Sequence, residues 1–195
     1  MAEFRADKRR YREPTGHDDE SRPRGRAWLI PVAAAVSVVS LVLGWLQLQS
    51  VERAIGMPLP DVMIGGYDSG HVESVRDLLD APLTERYQSV HYAWDLVFPM
   101  AFAALIILLV RRYGRHTPLR WLFYAVAVVY AATDISENFA IEAALASGEI
   151  AAAEVSFAST LTTTKFVLFA AAVLAFALSF MLNRASSRRG ASASR

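Results

Sequence analysis

Four stretches of the chain stay apolar long enough to cross a bilayer, and polar segments separate them. A helix rising 1.5 Å per residue needs about 20 apolar residues to span the hydrocarbon core. The stretches cover residues 27–47, 92–110, 121–145 and 157–182. Buried helices of a water-soluble domain are shorter and fewer, so the pattern predicts an all-α membrane protein, a four-transmembrane-helix bundle. The first stretch is expected to be retained. It is too long for a cleavable leader, and LGWLQLQSVER offers no small-residue cleavage site.

The connection 48–91 has a pattern of its own. MPLPDVMIGGYDSG has the Pro and Gly density of a turn-rich loop. HVESVRDLL then puts Val72, Val75, Leu78 and Leu79 on one helical face and Glu73, Arg76 and Asp77 on the other. The expectation is an amphipathic interfacial helix between spans one and two, lying in the headgroup region and ended by Pro82. It reads as a brace more than as a lid. A second helix starting near Thr84 should run into span two. Residues 1–26 and 184–195 mix charge with Pro, Gly and Ser, and read as disordered tails.

Small residues suggest how the spans meet. Ala33, Ser37, Ser40 and Gly44 share a face of span one, and Ala171, Ala175 and Ser179 share one on span four. Such faces let helices approach closely. The two halves of the chain show no repeat that would point to an inverted-repeat transporter.

Charge sets orientation. The 195 residues carry a net charge of +1, so no global field points to nucleic acid. Eight Lys or Arg precede residue 27, four lie in 111–120 and four follow residue 182. The 48–91 connection holds three Arg against seven acids, and 146–156 holds no base. Basic residues mark the cytoplasmic side, so both termini are expected there. Arg outnumbers Lys 18 to 2, which fits a high-GC bacterial genome and hence the bacterial cell (plasma or inner) membrane. With no cysteine, disulfides, thiolate metal sites and a thiol nucleophile are excluded.

One segment breaks the apolar pattern. TDISENFAIE, residues 133–142, puts Asp134, Glu137 and Asn138 on one face of span three. An intramembrane carboxylate costs about 2.5–3.5 kcal/mol, so such groups face the bundle and find partners. The best partner is Lys165 in STLTTTKF, with Thr162 on its face. Depths agree at 1.5 Å per residue: about 12 Å for Lys165, about 13 Å for Asp134 and about 9 Å for Glu137 from the outer surface. Asp95 on span two is about 6 Å down. Ionisable groups therefore gather in the outer half of the bundle.

Span two adds His91, four residues before Asp95, and Pro99, which cannot donate to the Asp95 carbonyl. A carbonyl freed in this way often lines a polar cavity. Three carboxyls against one ammonium leave two negatives, so either a carboxyl is protonated or a cation enters. Lys, unlike Arg, can lose its proton when buried, which makes a titratable or nucleophilic amine plausible. Oxygen ligands from Asp95, Asp134 and Glu137 would suit Mg²⁺ or Ca²⁺, and His91 would shift the preference to Zn²⁺. There is no HExxH signature, and an ammonium beside the acids repels cations, so no metal and no cofactor is expected. Neither a GxSxG elbow nor a phosphate-binding Gly loop occurs.

The run Asp95-Leu96-Val97-Phe98-Pro99, the pattern Asp134-x-x-Glu137-Asn138 and a Thr-then-Lys165 arrangement resemble an uncharacterised family of bacterial four-helix integral membrane proteins. The resemblance extends to GYDSGHVESVRDLL and covers residues 60–170. It implies the choice of residues and no reaction.

The expectation is therefore a lipid- or amphiphile-binding or processing protein. Asp95, Asp134, Glu137 and Lys165 are its catalytic candidates, and Asn138, His91 and Thr162 its substrate-binding candidates. Whether it is an enzyme is left open. The alternative is a structural or partner-binding protein, a homo-oligomer included, whose ion pairs only fix helix packing. Proton or solute transport ranks third, because the inner halves of the spans carry no polar continuation.

Overall fold

The structure, a computed structural model, describes residues 28–113 and 119–193. The expected tail over 1–26 and the middle of the basic 111–120 connection lie outside the described residues. Every regular element among the described residues is helical. In chain order these are α1 (Leu29–Ile55), a 3₁₀ turn (Pro60–Val62), α2 (Ser69–Leu78) and α3 (Ala81–Ser89). A π-helical turn (Val90–Trp94) follows, then α4 (Asp95–Tyr113), α5 (Arg120–Ala146) and α6 (Ala152–Ala193).

Among the described residues, three helices are long and apolar enough to cross a membrane: Leu29–Ile55, Ala81–Tyr113 and Ala152–Met181. Only 17% of the most apolar window of α1 is buried, so its Val and Leu side chains face outward. An apolar exterior of that extent suits lipid and not water. Helix α5 matches them in length, but it carries the acids of TDISENFAIE. Helix α6 continues through Ala193, where the sequence pattern predicts a disordered tail from residue 184.

The bundle divides into an apolar end and a polar end. At the first, Phe102, Ile106, Val110, Phe123, Ala127, Ala172 and Ala175 pack from α4, α5 and α6 without a charge. Helix α1 lies against α4, and Gly44 is the reason it comes close. A Cβ on Gly44 would sit 3.2 Å from Cβ of Trp94, tighter than ordinary packing. The small-residue face expected on α1 is the one used, with Ser37, Ser40 and Gly44 all buried. Ser37 and Ser40 donate to the carbonyls of Ala33 and Val36, so their hydroxyls need no partner across the interface.

The polar end is closed by the 56–89 connection. Gly56 ends α1 in the left-handed region at φ 76°, and the Glu52 side chain accepts the N–H of Leu59 at 2.9 Å. These contacts turn the chain inward and bury Leu59 and Asp61. Gly66, at φ 82°, passes so near α6 that a Cβ there would meet Ser159 Oγ at 2.7 Å. The same hydroxyl accepts the Tyr67 N–H at 2.8 Å, which fastens the loop to α6.

Asp68 caps α2 and Asp80 caps α3, each accepting a backbone N–H at 2.9 Å. The sequence pattern ends the first of these helices at Pro82. In the structure α2 ends at Leu78, and Pro82 sits in the first turn of α3, where a missing N–H costs nothing. Val72 and Val75 are buried as expected, whereas Leu78 is exposed. Val72 packs on Ala144 and Val155, and Arg76 donates to the carbonyl of Ser147 at 3.1 Å. Helix α2 therefore braces the ends of α5 and α6.

Candidate functional site

Lys165 reaches from α6 to α5. Its ammonium contacts Glu137 directly and lies 3.8 Å from Asp134. Glu137 is fully buried, and its other oxygen accepts the Thr162 hydroxyl at 2.5 Å. Three of the expected residues thus form one unit, Thr162–Glu137–Lys165, with each member partnered. A buried carboxylate is tolerable only when it is neutralised and hydrogen-bonded in this way.

Asn138, one residue further along α5, has a different role. Its amide donates to the main-chain carbonyl of Asp95 at 3.2 Å. That carbonyl is the one Pro99 leaves without a helical donor. The two helices are joined through the defect that proline creates.

His91 lies deeper than its sequence position suggests and is 1% exposed. Its Nδ1 is 2.6 Å from Glu142 Oε1 and its Nε2 is 2.8 Å from Asp61 Oδ1. The Tyr87 hydroxyl donates to the other oxygen of Asp61, and Gln88 donates to Glu142 at 3.0 Å. An imidazole held between two carboxylates needs a proton on each nitrogen, unless one carboxyl supplies it. Burial opposes ionisation of Asp61, but the charge and hydrogen bond of His91 outweigh it, aided by Lys165 and Tyr87. The Asp61 carboxyl is held well below the usual carboxylate range.

The π-helical turn orients this group. Asp95 donates its N–H to Val90, five residues back, where an α-helix would use the fourth. The wider turn seats His91 against Asp61 and Glu142 and still leaves Asp95 close by. Asp61, His91 and Asp95 offer ligand atoms within 4.8 Å of one another, a spacing a metal ion can bridge. Both His91 nitrogens are already taken by carboxylates, however.

A cavity of about 310 Å³ lies between α1 and α6, with α4 and α5 behind it. Asp61, Asp95, Asp134 and Lys165 line its polar part. Trp45 and Leu41 of α1, Phe98 of α4 and Phe169 of α6 line the rest. Phe169 stacks on Phe102, with ring centroids 4.8 Å apart, so the apolar wall rests on the bundle core. A second cavity of about 130 Å³ opens between α2, α3 and α5 and is lined by Arg76, Thr84, Gln88 and Glu142. The Asp61–His91–Glu142 chain spans the wall between the two.

The structure thus sorts the expected residues into two tiers. Asp95, Asp134 and Lys165 face the cavity. Glu137, Asn138 and Thr162 stand behind them and support them, whereas His91 is held by Asp61 and Glu142. Asp61, Glu142 and Tyr87 were not among the candidates. The signal for Asp61 is present in LPDVM, an acid set in an apolar, Pro-flanked run that should not be buried unless partnered. Comparison with known protein families, with curated proteins and with solved structures gives no match.

Proposed function

We propose that this is a four-span integral membrane protein, α5 included, that binds a lipid or other amphiphile in the cavity between α1 and α6. The observation that carries the reading is the make-up of that cavity. Four ionisable side chains sit at one part of it and apolar rings line the remainder. Amphiphile sites need this combination, an apolar enclosure with a few placed polar groups. A network that served helix packing alone would be consumed by its own contacts. Here Asp95 makes no side-chain hydrogen bond among the described residues, and Asp134 has only the 3.8 Å contact to Lys165. In this reading Asp95, Asp134 and Lys165 meet the head group, and Leu41, Trp45, Phe98 and Phe169 meet the chain. The motif resemblance, the bacterial inner membrane and the cytoplasmic termini belong to the same proposal.

The test is native mass spectrometry of protein released from nanodiscs of native lipid. Wild type should retain a bound amphiphile. Leu41→Trp, a change at a half-exposed site on the cavity wall, should lose it while keeping its helical content. Equal retention by the two would refute the reading.

One observation favours a second role for the same end of the molecule. The Asp61–His91–Glu142 chain links the cavity between α1 and α6 to the one between α2, α3 and α5, so a proton can enter at Glu142 and leave at Asp61. That is proton supply to a site, and not transport across the bilayer, since the other end of the bundle is apolar. His91→Gln keeps hydrogen bonding but cannot pass a proton. It should slow hydrogen–deuterium exchange of the cavity carboxyls, read by their infrared carbonyl bands, without unfolding the bundle.

A further inference from the structure

Around the cavity between α1 and α6 and the wall behind it stand five carboxyl groups, Asp61, Asp95, Asp134, Glu137 and Glu142, with one ammonium, Lys165, and one imidazole, His91. The distribution of partners matters more than the total. Lys165 is in direct contact with Glu137, and His91 is held by Asp61 and Glu142. Both basic groups are therefore already paired, Lys165 with Asp134 as well as Glu137, and of their carboxylate partners only Asp61 and Asp134 line the cavity. Asp95 makes no side-chain hydrogen bond among the described residues, Asp134 has only its 3.8 Å contact with a Lys165 already held by Glu137, and both carboxyls face into the cavity.

From this arrangement we infer that the cavity selects an amphiphile with a cationic head, an alkylammonium, over one with an anionic or neutral head. The inference rests on the amphiphile-binding reading and specifies its ligand class.

Three physical points support it. An anionic head placed near Lys165 would share its ammonium with Glu137 and Asp134, and would sit among Asp61, Asp95 and Asp134. Like charges at such distances in a low-dielectric site repel strongly. A neutral head would leave the uncompensated carboxyls as they are, whereas a cation neutralises them and recovers the cost of burying them. The ring faces of Trp45, Phe98 and Phe169 on the same cavity suit both an alkyl chain and the methyl groups of a quaternary ammonium. Phe166 is already occupied, with the Lys165 ammonium 5.5 Å from its ring centre.

The experiment compares three probes with one twelve-carbon chain: dodecyltrimethylammonium, dodecanol and dodecyl phosphate. Each is titrated below its micelle concentration into protein held in a neutral maltoside detergent, and bound stoichiometry is read by native mass spectrometry. The ammonium probe should bind once per chain, on the order of tenfold more tightly than either competitor. Asp95→Asn combined with Asp134→Asn should erase that preference and leave residual binding equal for all three. Leu41→Trp should abolish binding of every probe.

Equal or tighter binding of the phosphate or the alcohol to wild type would overturn the charge selection and leave the amphiphile site standing. Failure of all three probes, or binding that Leu41→Trp does not change, would overturn the site itself. Magnesium or zinc chloride displacing the ammonium probe would reassign the acids to a metal ion and also overturn the proposal. If the double Asn variant does not fold, competition among the three probes on wild type decides alone.

Discussion

The side-chain amide of Asn138 donates to the backbone carbonyl of Asp95, 3.2 Å away on the neighbouring helix. Pro99 creates that vacancy four residues on, and Asn138 fills it. A helix defect thereby becomes a joint between α4 and α5 at the level of the charged cluster. Asn138→Ala should destabilise the protein by about 1–3 kcal/mol, the usual cost of leaving a buried polar group unpaired. Pro99→Ala restores an N–H to the helix, so the double variant should lose less than the sum of the two singles. The expected coupling is on the order of 1 kcal/mol. Thermal unfolding in detergent measures it, and strict additivity would show that the amide and the proline act independently.

Lys165 neutralises the acids of α5. Lys165→Met should lower stability by around 3 kcal/mol, the order found when one partner of a buried pair is removed. Adding Asp134→Asn and Glu137→Gln should recover much of the loss, since no charge is then stranded. A single variant as stable as wild type would mean that the ammonium is not holding these carboxyls.

Asp61 makes stability depend on acidity. Its carboxyl is held below the ordinary value of 3.8, so its contribution is present above that value. The contribution falls away as pH drops towards the depressed folded value. Wild type should therefore lose stability more steeply than Asp61→Asn once the pH falls below about 4. Above that range the Asn variant should be uniformly weaker, because His91 and Tyr87 lose a charged acceptor. Parallel stability curves across the acid range would contradict the assignment.

How much of this was legible in the sequence depended on whether a local pattern encoded it. The long helices followed from hydropathy alone. The meeting of Lys165 with Glu137 and Asp134 followed from helical faces and matched depths, because a 1.5 Å rise fixes depth once the ends are known. The freed carbonyl of Asp95 was visible in the position of Pro99, but its partner was not. The helical face of Asn138 predicts a group turned towards the cluster, and its amide donates to the Asp95 carbonyl.

Asp61 was missed because a loop has no periodicity to say which side chain turns inward. Its burial is set by the Gly56 and Glu52 contacts that bend the chain over the bundle. The spacing of His91 and Asp95 predicts an α-helical pair, and the π-helical turn between them re-aims both. A one-residue change of helical register leaves almost no mark on composition.

The basic residues predict that both termini and the 111–120 connection share one side of the membrane, opposite α2. The chain has no cysteine, so single substitutions report cleanly. In intact cells a membrane-impermeant thiol reagent should label Ser69→Cys and spare Ser194→Cys. The reverse pattern would invert the topology and place the cavity near the cytoplasmic face.

In the proposed function the cavity between α1 and α6 holds an amphiphile by its head. The most direct test is a density map of the protein in nanodiscs of native lipid. The map should show an elongated feature between Leu41, Trp45 and Phe169, with its head against Asp95 and Asp134 and Lys165 still in contact with Glu137. A map in which α1 closes directly onto α6, or in which the cavity holds only discrete waters, would contradict it.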